Sequence, residues 1–223
     1  MPTLAATPTN LTAVKTIPYR DLRAGLLVRR YLTGTPPAEA SAVADDLLTA
    51  TYMQGLAVSL WPEPTHGCAV AVSSGRVSRA PFHAVRSVEF WTADPASDPT
   101  ATLVSVLETT PDYVVLDTVL TSVHARFTLR PVFTSTAIVG GTTYTPGAVA
   151  YQSADGHVYC ALVSALGSDY ADATKWAPLP VLAALAEPVK NLALADWMQL
   201  SEPVYAQTLR TLAAQRLATP STL

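Results

Sequence analysis

Between Cys68 and Val139 the chain never holds a helical period long enough to make a helix, and that gap decides the fold class. In its place stand short runs rich in Val, Leu, Thr, Phe and Tyr: "CAVAVSSGRVSRAPFHAVRSVEFWTA", "ATLVSVLET" and "DYVVLDTVLTSVHARFTLRPVFT". Such residues suit a pleated, half-buried surface, and Ser-Gly and Ala-Pro steps break the runs. The spacing predicts about five or six strands, mostly antiparallel, because the connections are too short for crossovers. With no helix between the strands, a βαβ design is excluded.

Helical periodicity is confined to the two flanks. Pro18 suits the first turn of a helix reaching about Leu32, with Tyr19, Leu22, Leu26 and Arg29 along one face. "TGTPP" ends it, and a second helix is expected from about Pro37 to Met53. Its inner stripe is Ala40, Val43, Ala44, Leu47, Leu48 and Thr51, which leaves Asp45 and Asp46 on the polar side. Near the C-terminus Leu182 and Leu185 face inward, and Pro188 is expected to open a new helix after a short turn. Val189, Leu192, Ala193, Trp197 and Leu200 form its expected stripe. Ser201 and Pro203 then stop that helix and start a last one carrying Leu209, Leu212, Ala213 and Leu217. The expected class is α+β: an extended N-terminal arm over 1–17, a helical segment over 18–60 and an antiparallel β region over 66–139. A small aromatic β-hairpin subdomain over 141–179 and C-terminal helices over 180–218 complete it.

Only 14% of residues are charged and 49% are hydrophobic, so much of the surface must be neutral. Few charges then need desolvating when neighbouring subunits cover it. The net charge is −3, and the densest basic group, Arg20, Arg23, Arg29 and Arg30, alternates with apolar residues on a helix. That is no concentrated phosphate-binding face, which argues against nucleic-acid recognition. Cys68 and Cys160 lie far apart in apolar runs and read as two buried thiols. The N-terminus lacks a signal-peptide pattern, and no apolar run reaches the ~20 residues of a membrane span. A soluble protein made in a cytoplasm is the expectation.

No nucleophile-elbow, Walker, dinucleotide-binding or zincin motif occurs. His66-x-Cys68 and His157-x-x-Cys160 offer ligand types that zinc accepts, but in a strand the second pair points to opposite faces. His83 and His124 are isolated. No catalytic residue, cofactor or metal is therefore expected.

The most patterned stretch is "GTTYTPGAVAYQSADGHVYCALVSALGSDYADATKWAPLP", residues 141 to 180. Asp-Gly marks a hairpin loop between "AVAY" and "HVYCALVS". An isolated hairpin is unstable, so Tyr144, Tyr151, Tyr159 and Trp176 are its candidate packing or binding aromatics. The order of Tyr144, Gly147, aromatic hairpin and final Trp176 resembles small chitin-binding-like modules, which implies rings that stack on sugars. It departs from them at Cys160 to Ser164, where their exposed aromatics are replaced by "CALVS".

Taken together with the C-terminal helices, the same stretch resembles tailed-phage virion proteins of the neck, or head–tail adaptor (connector), type. Trp176, Pro178 and Pro180 precede a Pro-led helix with the step Ala195, Asp196, Trp197 and a last helix over Val204 to Leu217. "ADDLL", Ala44 to Leu48, is likewise at home there. The long β region departs from the mostly helical simple connectors. This resemblance implies a non-enzymatic structural protein of the virion, synthesised in the host cytoplasm. It would act as a homo-oligomeric ring against portal or tail components, with passive contact to packaged DNA and none to membrane. The alternative is a carbohydrate-binding accessory or receptor-binding virion protein.

Overall fold

The computed structural model describes residues 7–8, 15–32, 34–58, 65–79, 85–173 and 175–218. The chain is α+β, with four helices and several small antiparallel sheets. Of the expected N-terminal arm, Thr7–Pro8 (β1) and Thr16–Ile17 (β2) form short strands, and most of the rest lies outside the described residues. The helices are α1 (Tyr19–Arg30), α2 (Ala40–Val58), α3 (Ala183–Met198) and α4 (Pro203–Ala218). Between them come β3 (His66–Ala71), β4 (Arg76–Ser78), β5 (Val85–Trp91), β6 (Val106–Thr109), β7 (Tyr113–Leu116) and β8 (Ser122–Leu129). Next in the chain are β9 (Thr143–Tyr144), β10 (Val149–Gln152), β11 (His157–Ala161), β12 (Ala165–Leu166), β13 (Trp176–Leu179) and β14 (Val181–Leu182).

The six strands from β3 to β8 divide into two sheets, ordered β1-β3-β8-β5 and β4-β7-β6. Strand β8 sits inside the first and buries Val123, Ala125 and Phe127, every second residue, as a half-buried strand should. β3 and β4 are joined at Ser74-Gly75, both with positive φ (50° and 72°), a primed turn that matches strand twist. The hairpin unit forms a third sheet, β10-β11-β13, with two-stranded ladders β9-β12 and β2-β14 beside it.

Helix α1 buries Tyr19, Leu22 and Leu26 on one face, as its spacing predicts. Its first turn is held by the hairpin, since the Arg20 N–H donates to the Gly156 carbonyl at 2.9 Å. Gly156 has φ of 77°, and a Cβ there would lie 2.9 Å from the Arg20 Cβ, so the turn needs glycine twice over.

Helix α2 is longer than its sequence period suggests, running Ala40–Val58 rather than about Pro37 to Met53. Its buried face is Ala44, Asp45, Leu48, Thr51, Tyr52 and Leu56. Asp45 is buried, not on the polar side. Residues two apart on a helix lie about 200° apart, so turning Asp45 inward turns Val43 outward, and Val43 is exposed.

Helix α3 is the centre of the helical layer. Pro188 does not start a helix but lies inside one that begins five residues earlier. Its missing N–H and ring should cost roughly 3 kcal/mol in an isolated helix interior. Burial of Leu185, Ala186, Val189 and Ala193 around it supports the helix through that fault. The step Ala195-Asp196-Trp197 points three ways: Ala195 is buried, Asp196 pairs with Arg210 of α4 at 2.8 Å, and Trp197 meets Tyr31 edge-to-face at 6.0 Å. Arg29 of α1 reaches Glu187 at 2.6 Å and Asn191 at 2.8 Å. Leu200 falls in the α3–α4 corner, beyond the helix, and Leu212 lies on the outer side of α4; both are exposed, against their expected inward place.

Candidate functional site

The four aromatics singled out in the sequence are all in the hairpin unit, and each has a packing partner. Trp176 opens β13, pairs across from Ala161, is only 1% exposed and donates from Nε1 to the Leu166 carbonyl at 3.1 Å. Tyr144 meets it edge-to-face at 5.1 Å, and its hydroxyl accepts the Val139 N–H at 3.0 Å. Tyr159 donates to Asp155 Oδ2 at 2.6 Å and sets its ring edge-on to Tyr170 at 5.6 Å. Burial, then the hydrogen bond to Asp155, raises the Tyr159 phenol above its ordinary range. Tyr151 turns away from these three, edge-on to Tyr19 of α1 at 6.5 Å. The pairs cross at 69° to 77°. Stacking on a sugar needs exposed rings in one plane; this arrangement makes a small aromatic core.

Sequence reasoning missed a second cluster, centred on Asp45. Oδ1 accepts the Tyr19 hydroxyl, and Oδ2 accepts the Ser135 N–H at 2.6 Å. Burial first, and the Asp45 charge second, push the Tyr19 phenol up, so it remains a donor. The Tyr19 ring stacks on Phe133 at 4.8 Å, and Phe133 meets Tyr52 edge-on at 5.3 Å. The Phe133 N–H donates to Thr49 Oγ1 at 2.9 Å. Residues 131–139 therefore run as a strap between α2 and the hairpin: α2 side chains take donors at Phe133 and Ser135, while Tyr151 bonds Thr136 and Ile138. Buried backbone groups need such partners wherever a ladder is missing.

No family model, curated protein or solved structure matches the chain.

Burial displaces the protonation of several interior groups. Burial pushes both Cys68 and Cys160 up to about 12, and both thiols are free. The shift from 9.0 lowers the thiolate fraction at pH 8 by roughly 1,000-fold, and thiolate is the reacting form. A thiol-exchange reagent is thus expected to find no reactive thiol in the native protein over minutes and two after denaturation. Fast native labelling would show that one of these strands opens. Among the described residues no three His, Cys, Asp or Glu side chains gather as a metal site. His66 is buried on β3, His124 faces Asp94 at 3.7 Å, His157 leads β11, and His83 lies outside the described residues.

What the surface offers is apolar. The C-terminal ends of α1 and α3 are joined by Tyr31 and Trp197, and around that end Leu32, Leu200 and Val204 are 83%, 99% and 82% exposed. Elsewhere, Leu103, Val106, Leu107, Val119 and Leu120 are exposed on and around β6, one of the two edge strands of the β4-β7-β6 sheet. The sequence hid these residues because a leucine beyond a stripe reads like one within it.

Proposed function

We propose that the chain is a non-enzymatic structural component of a tailed-phage particle, placed at the head–tail junction and working through ring assembly. The exposed Leu32, Leu200 and Val204 at one end of the helical layer carry this reading. Large apolar side chains grouped on a surface signal a contact that covers them. The apolar set at β6 lies on a different element, and a heterologous contact needs two unlike patches. Repeated by a closing rotation, such a contact makes a ring.

The low share of charged residues suits a surface meant to be covered by further copies and by portal or tail proteins. The acidic balance suits a wall that packaged DNA passes without phosphate clamping. No described helix is long and apolar enough to cross a membrane. The carbohydrate-binding alternative draws no support from the rings, since Trp176 is buried and its neighbours stand edge-on.

Immunogold microscopy on particles from the producing strain tests the placement, and sedimentation of the purified chain tests the contact. Label is expected at the head–tail junction. Leu200→Glu combined with Val204→Glu is expected to dissociate the oligomer while leaving the circular dichroism spectrum intact. A protein that is monomeric at every concentration and absent from particles would overturn the reading. Label confined to the tail tip would move it to receptor binding.

A further inference from the structure

Three parts of the fold converge on one histidine. His66, on β3, is 3% exposed, and its ring stacks on Phe127, its cross-strand partner in β8, at 5.7 Å and 25°. The ring borders a narrow crevice of about 20 Å³. The remaining walls include Tyr52 and Leu56 from α2, Thr128 from β8, and Leu179 and Pro180 at the end of β13. Nδ1 of His66 is buried with no hydrogen-bond partner among the described residues. The crevice therefore marks the junction of α2, the four-stranded sheet and the hairpin sheet.

We propose that His66 is an acid-sensitive latch, whose protonation opens the junction between α2, the four-stranded sheet and β13. No described wall of the crevice is charged, so nothing there offsets a positive imidazolium. The titratable neighbours are Tyr52 and Cys68. The Tyr52 hydroxyl is committed, donating to the Pro180 carbonyl at 3.2 Å and accepting the Leu182 N–H at 2.9 Å. Cys68 lies two residues along β3, and burial holds its thiol protonated. On the β1 side the paired residue is Pro8. On the β8 side, Arg126 is opposite Gly67 and bonds Thr65 at 3.3 Å. A crevice of this size holds about one water, too few to solvate an imidazolium.

Burial accordingly lowers the His66 ring to about 4 from an ordinary 6.5. Between those values the unfolded or opened chain binds the extra proton and the closed one does not, so acid favours opening. The closed junction keeps its full stability above pH 6.5 and loses it as pH falls toward 4. The linkage amounts to about a 100-fold change in the opening equilibrium over that window.

Urea unfolding and amide hydrogen exchange between pH 7.5 and 4, on the wild type and His66→Leu, test the latch, with His157→Gln as control. The wild type and the control are expected to lose about 100-fold more in the folding equilibrium than His66→Leu. Amides over 52–56 and at Leu182 are expected to lose protection before those of β8. Parallel pH profiles for the wild type and His66→Leu would overturn the proposal. If His66→Leu does not fold, the wild-type ring resonances decide. A His66 ring that stays neutral until α2 loses its native signals supports the latch. A ring titrating near pH 6.5 within an unchanged fold overturns it.

Discussion

Asp45→Ala is expected to lower stability by about 2–5 kcal/mol, because a buried hydroxyl and a half-buried N–H lose their acceptor, and each unsatisfied group costs ~1–3 kcal/mol. Those donors are the Tyr19 hydroxyl and the Ser135 N–H, on elements that this carboxylate joins beside the Tyr19–Phe133 stack. Measured against a usual total of ~5–15 kcal/mol, the loss is visible in any urea titration. Asp45→Asn should cost less, ~1–3 kcal/mol, because one amide oxygen still accepts while the amide NH₂ opposes the second donor. Tyr19→Phe in the Asp45→Ala background should add less than it does alone, since the partner is already gone. A loss below about 1 kcal/mol for Asp45→Ala would show that water replaces the carboxylate and that this cluster is not a structural centre.

Trp176→Ala is the second large effect, with an expected cost of about 3–5 kcal/mol for truncating a buried aromatic. The ring fills the small core shared with Ala161, Ala165, Tyr144 and Tyr159, and its Nε1 closes onto the Leu166 carbonyl. The near-ultraviolet circular dichroism of the hairpin aromatics should collapse, while the helical signal of α3 and α4 falls much less. Tyr159→Phe removes only the bond to half-buried Asp155 and should cost ~0.5–1.5 kcal/mol. A Trp176→Ala protein that stays fully folded but no longer binds a glycan column retained by the wild type would reverse the assignment of this ring from packing to binding.

Legibility in the sequence followed the range of the interaction. The α+β class, the strands between Cys68 and Leu129, the Asp-Gly hairpin and the inward face of Tyr19, Leu22 and Leu26 are local, period-driven features. Asp45 was not legible. A carboxylate one step from an apolar stripe looks solvated until its donor, 90 residues away, is placed beside it. Residues 131–139 look like strand but form a strap, because Pro131 removes a ladder donor and the next N–H groups find α2 side chains. Pro188 misled in the opposite direction: a local helix-breaking rule yielded to burial on both sides of it. For the candidate surfaces, composition indicated a coverable exterior, whereas the residues that form it depend on where α3 and β6 end.

The strap and the α1 contacts also set a timetable for the nascent chain. Asp45 must wait for Ser135, 90 residues later, and Arg29 for Asn191, 162 residues later. At ~5–20 residues per second, the first of these delays lasts roughly 5–20 s. Throughout it Leu22, Leu26, Ala44 and Leu48 have left the ribosome without the surfaces that later cover them. Helices α1 and α2, translated ahead of the β region, are among the last elements to be completed, so a ribosome-bound chaperone able to shelter an apolar helical pair should govern the yield of this protein more than its final stability does.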